Sequence, residues 1–94
     1  LEDQTAEAVR RALRDEPGSV LVFLPGAAEI RRTAARLDRL PPDVDVHSLY
    51  GALPPDAQRL AIAPPRAGRR KVVLATDVAE SSLTIEGVRV VVDA

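Results

Sequence analysis

The densest run of side chains able to do chemistry is ATDVAESSLTIEG, residues 75–87. It holds the hydroxyls of Thr76, Ser81, Ser82 and Thr84 and the carboxylates of Asp77, Glu80 and Glu86. It directly follows the apolar stretch KVVLA, residues 71–75. Hydroxyls and free backbone N–H groups at a strand end suit phosphate oxygens, which accept hydrogen bonds without needing a positive surface. The same residues suit a polar loop and short helix that cap their own backbone through Ser and Thr. Spacing alone leaves both readings open.

The usual catalytic patterns are missing. There is no GxxxxGK[ST] phosphate cradle, no GxGxxG and no GxSxG. Asp15-Glu16 runs into Pro17, which is not a Walker B context. No carboxylates are paired at a spacing that suggests glycosidase chemistry. The chain has no Cys, which excludes disulfides, thiolate metal sites and Cys nucleophiles. Its one His, His47, lies between Val46 and Ser48 in a strand-like stretch, where a structural or surface role fits better than a general base. No catalytic residue and no metal ligand is therefore assigned, and this chain alone is expected to be inactive.

Something must hold that hydroxyl-rich segment at a strand end. Residues 3–15 read as a helix capped by Asp3 or Thr5, with Ala6, Val9 and Leu13 at helical spacing. SVLVFL, residues 19–24, is continuously apolar, as in a parallel strand buried on both faces. Residues 27–40 read as a helix with Ala27, Ile30, Ala34 and Leu37 on its apolar side. Arg31, Arg32, Arg36 and Arg39 fall on its other sides, which reads as a solvated face. VDVHSL, residues 44–49, alternates like a strand with one wetter face. A short helix follows from Pro54-Pro55-Asp56 to about Ala63, since Pro is tolerated in a first turn. Leu53 could staple onto Ala57. Pro64 to Arg70 is a basic loop, residues 71–75 a second buried strand, 78–84 a short helix, and 88–93 a β-branched strand.

Strands separated by helices imply parallel crossovers and an α/β fold. Ligands of such sheets bind beyond the carboxyl ends of the strands. Those ends are Leu24-Pro25-Gly26, Leu49-Tyr50-Gly51, Ala75-Thr76-Asp77 and Asp93-Ala94, all along one rim. The 94 residues allow one small domain. With 46% hydrophobic and 29% charged residues, the composition is that of an ordinary globular chain. A net charge of −1 argues against a free-standing basic nucleic-acid binder. The longest apolar run, Val20 to Leu24, is far below the roughly 18–20 residues of a membrane span. No secretory leader is legible, so no membrane partner and a cytoplasmic location are expected. Lys71 is the only Lys, and the Arg excess reads as genomic base composition.

Three blocks carry a resemblance. KVVLATDVAESSLTIEGVRVVVDA resembles motif V of the DEAH/RHA-type superfamily 2 helicases. VLVFLPGAAEI resembles their motif IV, and LYGALPPDAQRLAI is similar to the block between. All three stand in the family's order and cover roughly residues 19–94. LYGAL, the loop before Lys71 and the TIEG spelling look most like the bacterial HrpB-type ATP-dependent helicases.

The resemblance implies a RecA-like parallel sheet flanked by helices. Residues 1–94 would be part of the second RecA-like domain of a P-loop NTPase-type motor, from motif IV through motif V. Motif VI and the first RecA-like domain, with its Walker A loop and DEAH box, are not in this sequence. The parent would use ATP and Mg2+, with neither expected to bind this segment alone. Its partners would be single-stranded nucleic acid, taken as RNA, and that first RecA-like domain. By family match, Pro25, Gly26, Gly51, Leu53, Thr76 and Asp77 would line the RNA path. Asp77 replaces a usual Asn, and a carboxylate there repels phosphate unless another group offsets it. Ser82, Leu83, Thr84 and Glu86 would link RNA to the nucleotide cleft, with Glu86 in place of a usual Asp. Two other readings stay open: a DNA-directed or ribonucleoprotein-remodelling motor of the same superfamily, and a free-standing α/β interaction module without nucleotide chemistry.

The β-branched strand 88–93 generates one expectation of its own. An unpaired sheet edge, or apolar surface normally covered by the rest of a motor, invites association. The 94-residue chain is expected to self-associate, and sedimentation at high concentration should show species heavier than the monomer. A clean monomer would count against it.

Overall fold

In the computed structural model, which describes residues 2–50, 54–76 and 88–93, the apolar runs become strands and the periodic segments helices. The order is α1 (Glu2–Asp15), β1 (Ser19–Leu24), α2 (Ala27–Arg36), β2 (Val44–Leu49), α3 (Pro55–Ile62), β3 (Arg70–Thr76) and β4 (Val88–Asp93). The four described strands form one sheet in the order β2-β3-β1-β4. Every pairing is parallel. This is the expected α/β class, and the strand order shows why β1 and β3 are buried at every or nearly every position while β2 is half-buried. The first two are central and the third is an edge.

The registers build two apolar layers. Val46, Val72, Val20 and Val90 align across the sheet, as do Leu74, Val22 and Val92 in a second row. These side chains join Ala6, Val9 and Leu13 of α1 and Ile30 of α2 in the larger core cluster. On the opposite face Leu21, Phe23, Val73, Ala75 and Leu49 pack with Ala61 of α3. One helix pair thus covers one face, and α3 packs on the other beside β2.

Helix boundaries depart from the sequence reading in two places. Asp3 and Thr5 do not cap α1, because the helix already includes them. Thr5 is buried, and Asp3 instead pairs with Arg36 of α2. α2 stops at Arg36, short of residue 40. The Leu37 N–H bonds to the Ala34 carbonyl, and Arg39 adopts a left-handed φ of 57°. The apolar side of α2 also turns slightly: Ile30 and Thr33 are fully buried, whereas Ala34 is only partly so. The expected helix at 78–84 and the Leu53 staple lie outside the described residues.

Basic side chains close the carboxyl ends of the three described helices. The last carbonyls of a helix lack intrahelical partners and carry partial negative charge, so cations are stabilising there. For α1 the cation is Arg70. It donates from Nε to the Gly18 carbonyl (2.7 Å), from Nη1 to Leu13 (2.8 Å) and from Nη2 to Glu16 (2.6 Å). For α2 it is Arg10, which donates to the carbonyls of Arg36 (2.6 Å) and Asp38 (3.2 Å). For α3 it is Lys71. Its ammonium donates to the carbonyls of Leu60, Ala61 (3.3 Å) and Ala63 (2.6 Å). Lys71 is only 5% exposed, and that burial pushes its pKa below the usual lysine value.

A tight turn delivers these two neighbours to opposite faces of the sheet. The Arg69 N–H bonds to the Arg66 carbonyl (3.0 Å), and Gly68, third of the four residues, has φ of +79°. A β-turn with positive φ at that position favours Gly. Alternation along β3 then sends Arg70 toward α1 and Lys71 toward α3. The Arg32–Glu2 and Arg36–Asp3 pairs join α1 to α2 at the surface, where such pairs contribute little, and Arg32 also pairs with Glu29 within α2.

Removing one clamp should therefore cost more than removing a surface pair. Arg70→Ala and Lys71→Met are each expected to lower folding stability by about 1–3 kcal/mol, since each strands helix-end carbonyls. Arg32→Ala should cost less than about 1 kcal/mol. Urea unfolding checks this through the midpoint at constant slope. Equal costs for all three would remove the clamp from the account.

Candidate nucleic-acid interface

Because every described pairing is parallel, the carboxyl ends of β1, β2 and β3 share one rim, as the register shows. Leu24 of β1 is paired with Thr76 of β3, and Leu49 of β2 with Ala75. Neighbouring strands lie about 4.8 Å apart. Pro25 and Gly26 follow Leu24 directly, so they stand beside Thr76. Of the ten residues expected to form the site, these three are described. Gly51, Leu53, Asp77, Ser82, Leu83, Thr84 and Glu86 lie outside the described residues.

Each of the three brings something different. Thr76 is 8% exposed at the last position of β3, and its hydroxyl has no hydrogen-bond partner among the described residues. Pro25 ends the strand because it has no N–H to donate. Gly26 is the N-cap of α2 in an extended conformation, with no side-chain cap. Its carbonyl accepts from the Ile30 N–H (3.1 Å). A Cβ at Gly26 would lie 2.9 Å from Glu29 Oε1, so any other residue must displace that carboxylate. Glu29 is held by Arg32 at 3.0 Å.

A second helix start lies beyond β2. α3 begins at Pro55 after the N-cap Pro54, again without a side-chain cap. Tyr50, just past β2, packs on the larger core cluster. The rim thus offers two helix starts without an N-cap side-chain bond, and at α3 the first free donor is the Asp56 N–H, because Pro54 and Pro55 have none. Such groups bind phosphate or carboxylate oxygens. The carboxylates of the described rim, Glu29 and Asp56, are each paired with an Arg, Arg32 and Arg59, so neither of these cations is left unpaired.

Lys71, in β3 just after the basic loop, has its ammonium spent on three carbonyls. Among the described residues no group of three or more His, Asp or Glu could hold a metal ion, and no helix is long and apolar enough to cross a membrane. The basic clamps were missed by sequence reasoning. The available signal was a lone Lys opening an otherwise apolar strand.

The helicase conserved C-terminal domain family matches residues 4–94. This chain belongs to that family. Among helicase relatives, it is 54% identical over 93 residues to the ATP-dependent RNA helicase HrpB of Escherichia coli, matching 98% of this chain and 12% of that protein. It is 42% identical over 86 residues to the pre-mRNA-splicing factor ATP-dependent RNA helicase DEAH10 of Arabidopsis thaliana, matching 84% of this chain and 12% of that one. The crystal structure of E. coli DEAH/RHA helicase HrpB superposes with a TM-score of 0.92 at 53% identity, over 99% of this chain and 12% of that one. The chain thus spans about an eighth of the length of these helicases. The HrpB-like DEAH/RHA resemblance and the RecA-like fold of the helicase C-terminal domain are borne out.

His47 lies away from this helicase rim, paired with Val73 below the end of β2. Its pKa is lowered, first by burial and then by the Lys71 charge, against a smaller opposing pull from Asp45. The folded state therefore binds the proton less readily than the unfolded chain. Stability should be full above the unfolded value of 6.5 and fall as pH drops below it toward the folded pKa. His47→Gln should flatten that part of the profile of unfolding midpoint against pH. An unchanged slope would show that other groups set it.

Proposed function

We propose that this chain is part of the second RecA-like domain of an ATP-dependent RNA helicase, carrying motif IV through motif V. In this reading it supplies one side of a single-stranded RNA grip and one face of the interdomain ATP cleft. The observation that carries it is the shared rim: Thr76 beside Pro25-Gly26, with two helix starts that no side chain caps. The relatives, themselves named ATP-dependent RNA helicases, support it.

The physics of the rim suits a motor that moves along a strand without reading it. Contacts to phosphate and sugar position a protein but carry no sequence information. Thr76 donates its hydroxyl to a phosphate oxygen. Backbone N–H groups at the starts of α2 and α3 take neighbouring phosphates, and Gly51 and Leu53 continue the path. Asp77 lies beside it and needs an offsetting donor. By family match, Ser82, Leu83, Thr84 and Glu86 are assigned to coupling RNA with the nucleotide cleft. The Walker A loop and motif VI, absent from this sequence, belong to other parts of the parent, where ATP with Mg2+ is held against the first RecA-like domain.

An amide-shift titration with short single-stranded RNA at low salt tests the path directly. Shifts should concentrate at residues 24–26, 50–53 and 76–84. Thr76→Ala should weaken binding roughly tenfold, the loss of one hydrogen bond to a charged group. With Arg32 and Arg59 at the described rim already paired to carboxylates, the salt slope for this chain should stay shallower than about −0.7, the value for one neutralised phosphate on a single strand. A steep slope, with shifts spread over the Arg-bearing α2, would mean plain electrostatic attraction and sink the rim assignment.

A further inference from the structure

A cleft of about 590 Å3 opens at the other side of the molecule, between the free edge of β2 and the carboxyl end of α3. Two independent features meet there. The first is backbone. The Asp43 carbonyl accepts from Arg70 of β3 (2.8 Å), which fixes which residues of β2 face β3. Backbone groups alternate sides along a strand, so those of Asp45, His47 and Leu49 face β3, and those of Val44, Val46 and Ser48 face outward. The Val44 N–H is taken by the Pro41 carbonyl (3.0 Å). Among the described residues no strand pairs with the outward groups of Val46 and Ser48. Val46 lines the cleft.

The second feature is the wall opposite. Leu60 is 63% exposed, the most exposed of the large hydrophobic side chains among the described residues. It lines the cleft with Ala63, Pro64 and Pro65. The floor and rim carry three cations, Arg66, Arg69 and Lys71, against one carboxylate, Asp45. Asp45 is held by Arg69 (2.7 and 2.9 Å), and Lys71 by helix carbonyls. The Arg66 guanidinium has no partner among the described residues, so the cleft is left with uncompensated positive charge.

We propose that this cleft docks an extended acidic segment of a partner protein, added as a strand along β2. Main-chain hydrogen bonds to Val46 and Ser48 hold it, and alternate side chains enter the cleft. An apolar side chain lies on Leu60, Pro64 and Pro65. A carboxylate about two residues along, roughly 7 Å away, meets Arg66. The cleft suits peptide better than nucleic acid. An unpaired strand edge matches a backbone that can extend the ladder, and the described lining has no Phe, Tyr or Trp on which bases could stack. This goes beyond the RNA grip, which uses the carboxyl ends of the strands.

The test is fluorescence anisotropy of the whole protein with two labelled short peptides, one alternating Val with Glu and one alternating Val with Lys. The acidic peptide should bind and the basic one should not. Leu60→Glu and Arg66→Glu lie on exposed positions, so their folding can be checked by circular dichroism, and each should weaken the acidic peptide about tenfold. RNA affinity should not change in either. Hydrogen exchange at residues 44–49 should slow when the acidic peptide is added. No binding, equal binding of both peptides, or unslowed exchange would overturn the proposal. So would an Arg66→Glu variant that keeps the peptide and loses RNA, which would assign the cleft to nucleic acid.

Discussion

Arg70 and Lys71 hold the two layers of this molecule to one strand. Adjacent residues on a strand point to opposite faces. Here that alternation sends one cation to the end of α1 and the other to the end of α3, while their backbones open the central strand β3. Each side chain bonds three carbonyls near a helix end, most of them at least partly buried, where an unpaired group costs about 1–3 kcal/mol. The turn through Gly68 fixes where the pair enters the sheet. Both helices are thereby tied to the amino end of the sheet, away from the rim where Leu24 meets Thr76.

That arrangement explains how much was legible beforehand. The strands at 19–24 and 88–93 were read with their observed bounds, because continuous β-branched and apolar runs have no other stable place than a buried sheet. The end of α2 was not legible. Its helical pattern continues through Leu37, but Arg10, distant in sequence, takes the carbonyls of Arg36 and Asp38 and lets the helix stop. Thr33 shows a related limit. Its methyl and backbone pack on the core side of α2, although its hydroxyl has no partner among the described residues. Periodicity read from apolar residues alone assigns that place to Ala34.

The arginines illustrate the same point. Composition made them look like a genomic bias with a solvated face. Arg32 and Arg36 do sit on the surface of α2 as ion pairs with α1. Arg10 and Arg70 do something a composition cannot show, since they reach main-chain carbonyls set by the fold. The rim was legible for a different reason. Parallel topology alone brings the strand ends together, so naming the strands was enough to place Pro25, Gly26 and Thr76 side by side.

Spending the cations on the amino end of the sheet has a consequence for the rim. A surface that grips phosphate through Lys and Arg binds strongly at low salt and loses affinity steeply as salt rises. A rim built from a Thr hydroxyl and uncapped helix starts gives directional contacts with little long-range attraction. Such a half-grip is weak alone and depends on what faces it. In the motor proposed above, that weakness is useful: closing a second domain over the strand adds the missing contacts, and opening removes them. Affinity then follows domain position, which is the coupling a translocating enzyme needs between nucleotide state and hold on the strand.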